Sequence, residues 1–169
     1  MKNLFAILLI ILSVSCSKSS NINYSFDNIL SYKDTIFVKS RFADCGEWGG
    51  HNEIIKIYTE KEQTKLIYTK YRVDCGVRDS TGSIVQNEEV KKNIVLSTSQ
   101  KAGLMNYINN LMHYKFIENE FGNSGNSFSV EDSENQLKIS RYGSNSILME
   151  NYNHLMNKLG FPNVIVKNE

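Results

Sequence analysis

Hydrophobic and polar residues alternate with a period of two through much of the first half of the chain. In the second half, apolar residues recur twice at helical spacing. Thr35 to Ala43 (TIFVKSRFA) is rich in β-branched and aromatic residues, as strands are. Glu53 to Glu60 (EIIKIYTE) sets Ile55, Ile57 and Thr59 on one face against Ile54, Lys56 and Tyr58 on the other, a half-buried strand. Lys61-Glu62-Gln63 is polar and predicts a turn, and Thr64 to Val73 (TKLIYTKYRV) predicts a third strand, antiparallel to the second. Gly76 to Gly82 reads as a loop, and weaker strand patterns surround Ile84-Val85 and Ile94-Val95-Leu96.

Ser97-Thr98-Ser99-Gln100 is a capping box, in which the first Ser accepts from the backbone at the Gln while the Gln side chain reaches back. Leu104, Ile108, Leu111 and Met112 follow at helical spacing, so a helix is predicted from about 98 to 114, with Lys101, Asn106, Asn109 and Asn110 facing outward. Glu118 to Asn126 is a Gly/Asn loop, and Ser127–Val130 with Gln136–Tyr142 form a further hairpin around the acidic run Glu131-Asp132-Ser133-Glu134, expected to be a solvated turn. Leu148, Tyr152, Leu155 and Leu159 predict a second helix, closed by Gly160 with Pro162 just beyond, while residues 146–149 are open to a strand ending as well. Strands and helices segregate instead of alternating as βαβ units. The expected fold class is α+β: one antiparallel sheet of about five to six strands with two helices on one face.

The N-terminus has a different character. Met1-Lys2-Asn3 is a short basic start, Leu4 to Leu12 (LFAILLIIL) is unbroken apolar chain, and Ser13-Val14-Ser15-Cys16 follows. A run of that length is too short to span a bilayer, which takes about 20 apolar residues, and fits the apolar region of a secretory signal. With a cysteine after the cleavage point it resembles the lipobox of bacterial lipoproteins, in the relaxed form common in Bacteroidota: Ser13 stands where Leu is usual, with Leu12 one residue back. The resemblance implies that residues 1–15 are removed as a signal peptide, that Cys16 is acylated, and that the protein is lipid-anchored in the cell envelope at the outer membrane. It says nothing about the domain. Residues 16–23 would then be the acylated cysteine and a polar tether, and residues 24–169 a single α+β domain.

Charge sharpens this. The 169 residues carry 19 Lys+Arg against 18 Asp+Glu, and removing residues 1–15 takes away Lys2 and no acid, leaving 18 of each. A balanced chain lacks the clustered positive charge that nucleic acid requires, and its hold on a membrane would come from lipid and not from basic residues.

After such processing two cysteines remain, Cys45 and Cys75, each in the tripeptide Asp-Cys-Gly and 30 residues apart. In an exported protein such a pair reads first as a disulfide, here joining the ends of two neighbouring strands where Gly releases the chain into a loop. Two other readings use the same residues: a zinc site from Cys45, His51 and Cys75 with nearby acids, and a thiolate nucleophile based by His51. Neither has the usual ligand or catalytic spacing.

The densest functional-looking segment lies just beyond Cys45. Within residues 44–53, Asp44, Glu47, Trp48, His51 and Glu53 surround Gly49-Gly50, and Trp48 is the only tryptophan of the chain. A stapled loop with one Trp and several polar side chains has the make-up of a recognition loop. The chain has no G-x-S-x-G, H-E-x-x-H, P-loop or dinucleotide-binding motif, and no catalytic residue, metal ligand or cofactor is assigned. The expected role is a cell-envelope lipoprotein whose small domain offers the 44–53 loop to a protein or glycan partner. The alternatives are an envelope hydrolase using acids or His51 of that loop, and a metal-binding lipoprotein.

Overall fold

A computed structural model describes residues 25–31, 35–116, 124–134 and 136–165. The signal segment, Cys16, the tether and most of the 118–126 loop lie outside the described residues.

The sheet is built from β1 (Thr35–Arg41), β2 (Asn52–Glu60), β3 (Gln63–Arg72), β4 (Asn87–Val95), β5 (Asn126–Asp132) and β6 (Lys138–Gly143). All neighbours are antiparallel, in the order β4-β3-β2-β1-β5-β6. Among the described residues three α-helices accompany it: a short α1 (Phe26–Ser31), α2 (Thr98–His113) and α3 (Ser146–Leu159). The expected α+β fold, with one open antiparallel sheet and a Cys45–Cys75 disulfide, is the one observed.

Register explains the core. Leu66, Ile57 and Ile36 stand side by side across β3, β2 and β1, and Tyr68, Ile55, Val38 and Val130 form the next row. These side chains are buried against Leu104, Ile108, Leu111, Leu148, Tyr152 and Leu155 of the two long helices. Both helices start as their sequences dictate. Ser97 accepts from Gln100 N at 3.3 Å while Gln100 Oε1 accepts from Ser97 N at 2.9 Å. Asn145 caps α3 by accepting from Ile147 N at 2.9 Å, which settles residues 146–149 as helix, and Gly160 closes it in the left-handed conformation.

Five details differ from expectation. The strand pattern at Ile84-Val85 yields only an isolated bridge from Ile84 to Arg78, and β4 begins at Asn87. As an edge strand it carries charge on both faces and so lacks an alternating signature. Met112 is 53% exposed, because the row that faces the sheet continues through Leu111 alone. On the outward face of α2, Lys101 reaches Asp27 of α1 at 2.7 Å, and Asn110 donates to Asn151 of α3 at 2.8 Å. Asp132 is not solvated: its register opposite Ile36 turns it inward, where its carboxylate accepts from Gln136 N at 2.8 Å and Leu137 N at 3.1 Å and so shapes the β5–β6 turn. The β2–β3 turn holds Lys61 and Glu62 at positive φ, so Gln63 already belongs to β3.

α2 and α3 approach closely at Gly103, where a Cβ would lie 2.9 Å from Cβ of Lys158. Gly103→Val therefore forces the helices apart. It should cost about 1–3 kcal/mol of stability, measured by urea unfolding, while Gly103→Ala should cost less.

Candidate functional site

The chain between β1 and β2 folds back on itself. Phe42 N donates to His51 O at 2.9 Å, prolonging the β1–β2 ladder by one rung. Above this rung, Cys45 N donates to Gly49 O at 2.8 Å, and a single 3-10 turn, Gly46–Trp48, forms the tip. Gly49 adopts φ +107°, and a side chain on Gly50 would collide with the Phe42 carbonyl, so only glycines allow this crossing.

Beneath the tip lies a cluster that joins three of the predicted site residues. His51 is stacked on Phe42 with ring centroids 4.8 Å apart, and its Nδ1 is paired with Asp44, which also accepts from His51 N at 3.1 Å. On the other side of the ring, His51 Nε2 faces Glu53 Oε1 at 3.5 Å. Glu53 is on the inner face of the sheet, 1% exposed, and its second oxygen accepts from the Tyr152 hydroxyl of α3 at 2.7 Å. Tyr152 in turn packs on Phe42 and Phe128.

These neighbours set the charges. Burial alone would lower the pKa of His51, but the hydrogen bond to Asp44 and the Glu53 carboxyl 3.5 Å from Nε2 override it and raise it to about 9. Burial raises Asp44, and its bonds to His51 more than reverse that, leaving it below 3.8. Burial, followed by the Glu53 charge, pushes Tyr152 well above the ordinary phenol range, so the hydroxyl keeps its proton and donates it in a hydrogen bond to Glu53. An imidazolium is thus held between two carboxylates.

That geometry speaks to the chemical alternatives. The two acids face opposite ring nitrogens and cannot converge with the imidazole on one ion, and among the described residues no cluster of His, Cys, Asp and Glu fits a metal. His51, 7% exposed, offers neither nitrogen to a substrate. Both sulfurs are bonded to each other, with Cα atoms 5.5 Å apart, which leaves neither as a thiolate.

The disulfide joins the mouths of two loops, as the repeated tripeptide suggests, but the strands it follows are not neighbours. β1 and β3 end on the same side with the start of β2 between them, so the bond spans a strand. The second loop is ordered by its own polar groups. Val85 N donates to Val77 O at 3.2 Å, and Asp79 Oδ1 accepts from Thr81 N at 2.8 Å and Ser83 N at 3.0 Å. The Gln86 amide then ties the two loops together, accepting from Asn52 N and donating to Gly50 O, both at 3.0 Å.

Between the loops is a cleft of about 640 Å³. Arg41, Trp48, Asn52, Arg78 and Ser83 are among its lining residues. Trp48 is 69% exposed, with the Arg78 guanidinium 4.9 Å from its ring centre. The five candidates therefore divide. Asp44, His51 and Glu53 are the foundation of the loop, Trp48 is at the cleft, and Glu47 is exposed at the tip. Arg41, Arg78 and Gln86 were not singled out from sequence. Arg78 was findable, because it lies two residues after the second Asp-Cys-Gly and a bond between the two cysteines brings it to the first loop.

No protein-family model, curated protein or solved structure matches the chain. Among the described residues, no helix is long and apolar enough to cross a membrane.

The His51 cluster makes stability depend on pH in a stated direction. The stabilisation from protonated His51 is complete below its ordinary 6.5 and is lost as pH rises through about 9. That from ionised Asp44 is complete above 3.8 and lost as pH falls through its lowered value. Urea midpoints should peak between about pH 4 and 6.5 and then fall toward pH 9 by a free energy on the order of 1–2 kcal/mol, since Asp44 is partly solvated. His51→Gln should abolish the alkaline fall.

Proposed function

We propose that this chain is a lipid-anchored binding module of the bacterial cell envelope, which presents the stapled 44–53 loop to a protein or glycan partner. The observation that carries the reading is Trp48. A large aromatic side chain, 69% exposed, sits on a loop restrained by a disulfide at its base and a buried charge cluster underneath. Burying an exposed indole is among the larger single contributions to recognition, and a rigid loop loses little entropy when bound.

Anchoring is supported by the N-terminal pattern: Lys2, the apolar run from Leu4 to Leu12, and Cys16 after small residues. Two or three acyl chains on Cys16 would hold the protein firmly, as each buried methylene contributes roughly 0.8 kcal/mol. The polar SKSSNIN segment, residues 17–23, would set the domain off the bilayer. An outer-membrane location follows from the same resemblance.

Two experiments test these parts separately. Cys16→Ser should shift the protein from the membrane fraction to the soluble fraction, and unchanged membrane association would contradict lipid anchoring. Replacing Trp48 with the photoreactive benzoylphenylalanine in the full chain, in its own envelope, should give a discrete adduct on illumination. The same residue at His154, exposed on α3, should not. An absent adduct at position 48, or the same pattern from both positions, would contradict a partner at the loop.

A further inference from the structure

The cleft beside Trp48 has a chemistry more specific than a general binding surface. Two guanidinium groups, Arg41 and Arg78, line it, and among the described residues neither has a carboxylate within ion-pair distance. Arg78 uses Nη1 on the Gly82 carbonyl at 2.8 Å and lies over the Trp48 ring, which fixes its plane and leaves other donors of the fork for a ligand. The acid in the same lining, Asp79, commits Oδ1 to Thr81 and Ser83 of its own loop. The cleft is therefore a place where an anion meets two planar donors beside an open indole.

We propose that this cleft binds an acidic saccharide, its carboxylate held by Arg41 and Arg78 and a sugar ring lying on Trp48; the proposal rests on the binding role of the loop given above. Its volume, about 640 Å³, is within the roughly 300–1,000 Å³ range of small-ligand sites. The lining favours a sugar over an acidic peptide. Glycine, serine and amide residues make up half of the lining, and Ile84 and Val85 are its aliphatic side chains, so no deep apolar pocket awaits a peptide side chain. β2, the strand beside the cleft, is already paired with β1 and β3 and has no free edge for an added peptide strand, and Gln86 takes up Gly50 O and Asn52 N where it begins. An aromatic face with polar groups at its edge suits the alternating apolar and hydroxyl surfaces of a sugar ring, and guanidinium forks suit its carboxylate.

Because Trp48 is the only tryptophan, its fluorescence reports on this cleft alone. The full chain in detergent is titrated with a trisaccharide of galacturonic acid, with the methyl ester of that trisaccharide, and with triglutamate. A saturable emission change is expected with the acid form. The ester should bind at least tenfold more weakly, as should triglutamate, and raising the salt should weaken the acid form. Arg41→Gln and Arg78→Gln should each weaken binding at least tenfold at unchanged melting temperature. The wild-type comparison of acid and ester decides the matter even if a variant folds poorly. Equal binding of the ester, equal or tighter binding of triglutamate, or no response to any probe would overturn the proposal. If the position-48 adduct forms while no acidic sugar binds, the ligand class alone is wrong; if the adduct is missing, the loop's binding role fails as well.

Discussion

A carboxylate inside a hydrophobic core is tolerated only when its charge is answered, and Glu53 sets that condition here. It occupies an inward position at the start of β2, in the same column as Ile55 and Ile57, where removal from water costs several kcal/mol unless a cation and hydrogen bonds replace the lost hydration. The His51 imidazolium and the Tyr152 hydroxyl are the replacements, and Asp44 balances the imidazolium from its other side. The four side chains come from β2, from the β1–β2 loop and from α3. Satisfying one buried charge thus fixes where the loop, the sheet and the helix meet.

The loop above this cluster inherits its position. Asp44 cannot leave without stranding a buried cation, His51 cannot swing out without stranding Glu53, and the Phe42 ring stacks on the imidazole. The disulfide then does for the second loop what the charges do for the first, and Gln86 closes the remaining gap. Two loops that would otherwise be independently mobile form one cleft with a fixed distribution of charge. Rigidity of this kind is what a small domain needs if it is to bind selectively with few side chains, since little of the interaction energy is spent on ordering. Removing one member of such a cluster is expected to hurt more than replacing all of it, as a lone buried charge is worse than none.

Much of the framework was legible in the chain. Period-two runs located β1 to β3, the Ser97–Gln100 box and the Gly160 stop located both long helices, and the paired Asp-Cys-Gly tripeptides located the disulfide. What was not legible has a common physical origin in tertiary context. β4 is an edge, where pairing alone stabilises a strand and composition is free to be polar; Asp132 reads as solvated until its register places it inward. The site was half legible. Its residue types were conspicuous, but sequence could not separate those that build the loop from those that face outward. Strand parity carried a clue, since Glu53 shares a face with Ile55 and Ile57, and Tyr152 at a core position of a helix was the partner it needed. Gln86 had no signature, because an amide that mimics a strand edge looks like any other surface glutamine.

The account depends on His51 being a buried cation, and nitrogen NMR of its ring observes that directly. With ¹⁵N-labelled protein at pH 7.5, both ring nitrogens should give the shifts of a protonated imidazolium, and the transition to the neutral form should be centred near pH 9. A ring already neutral at pH 7.5, with one nitrogen carrying no proton, would mean that Glu53 is not answered by a charge and that something else holds the loop.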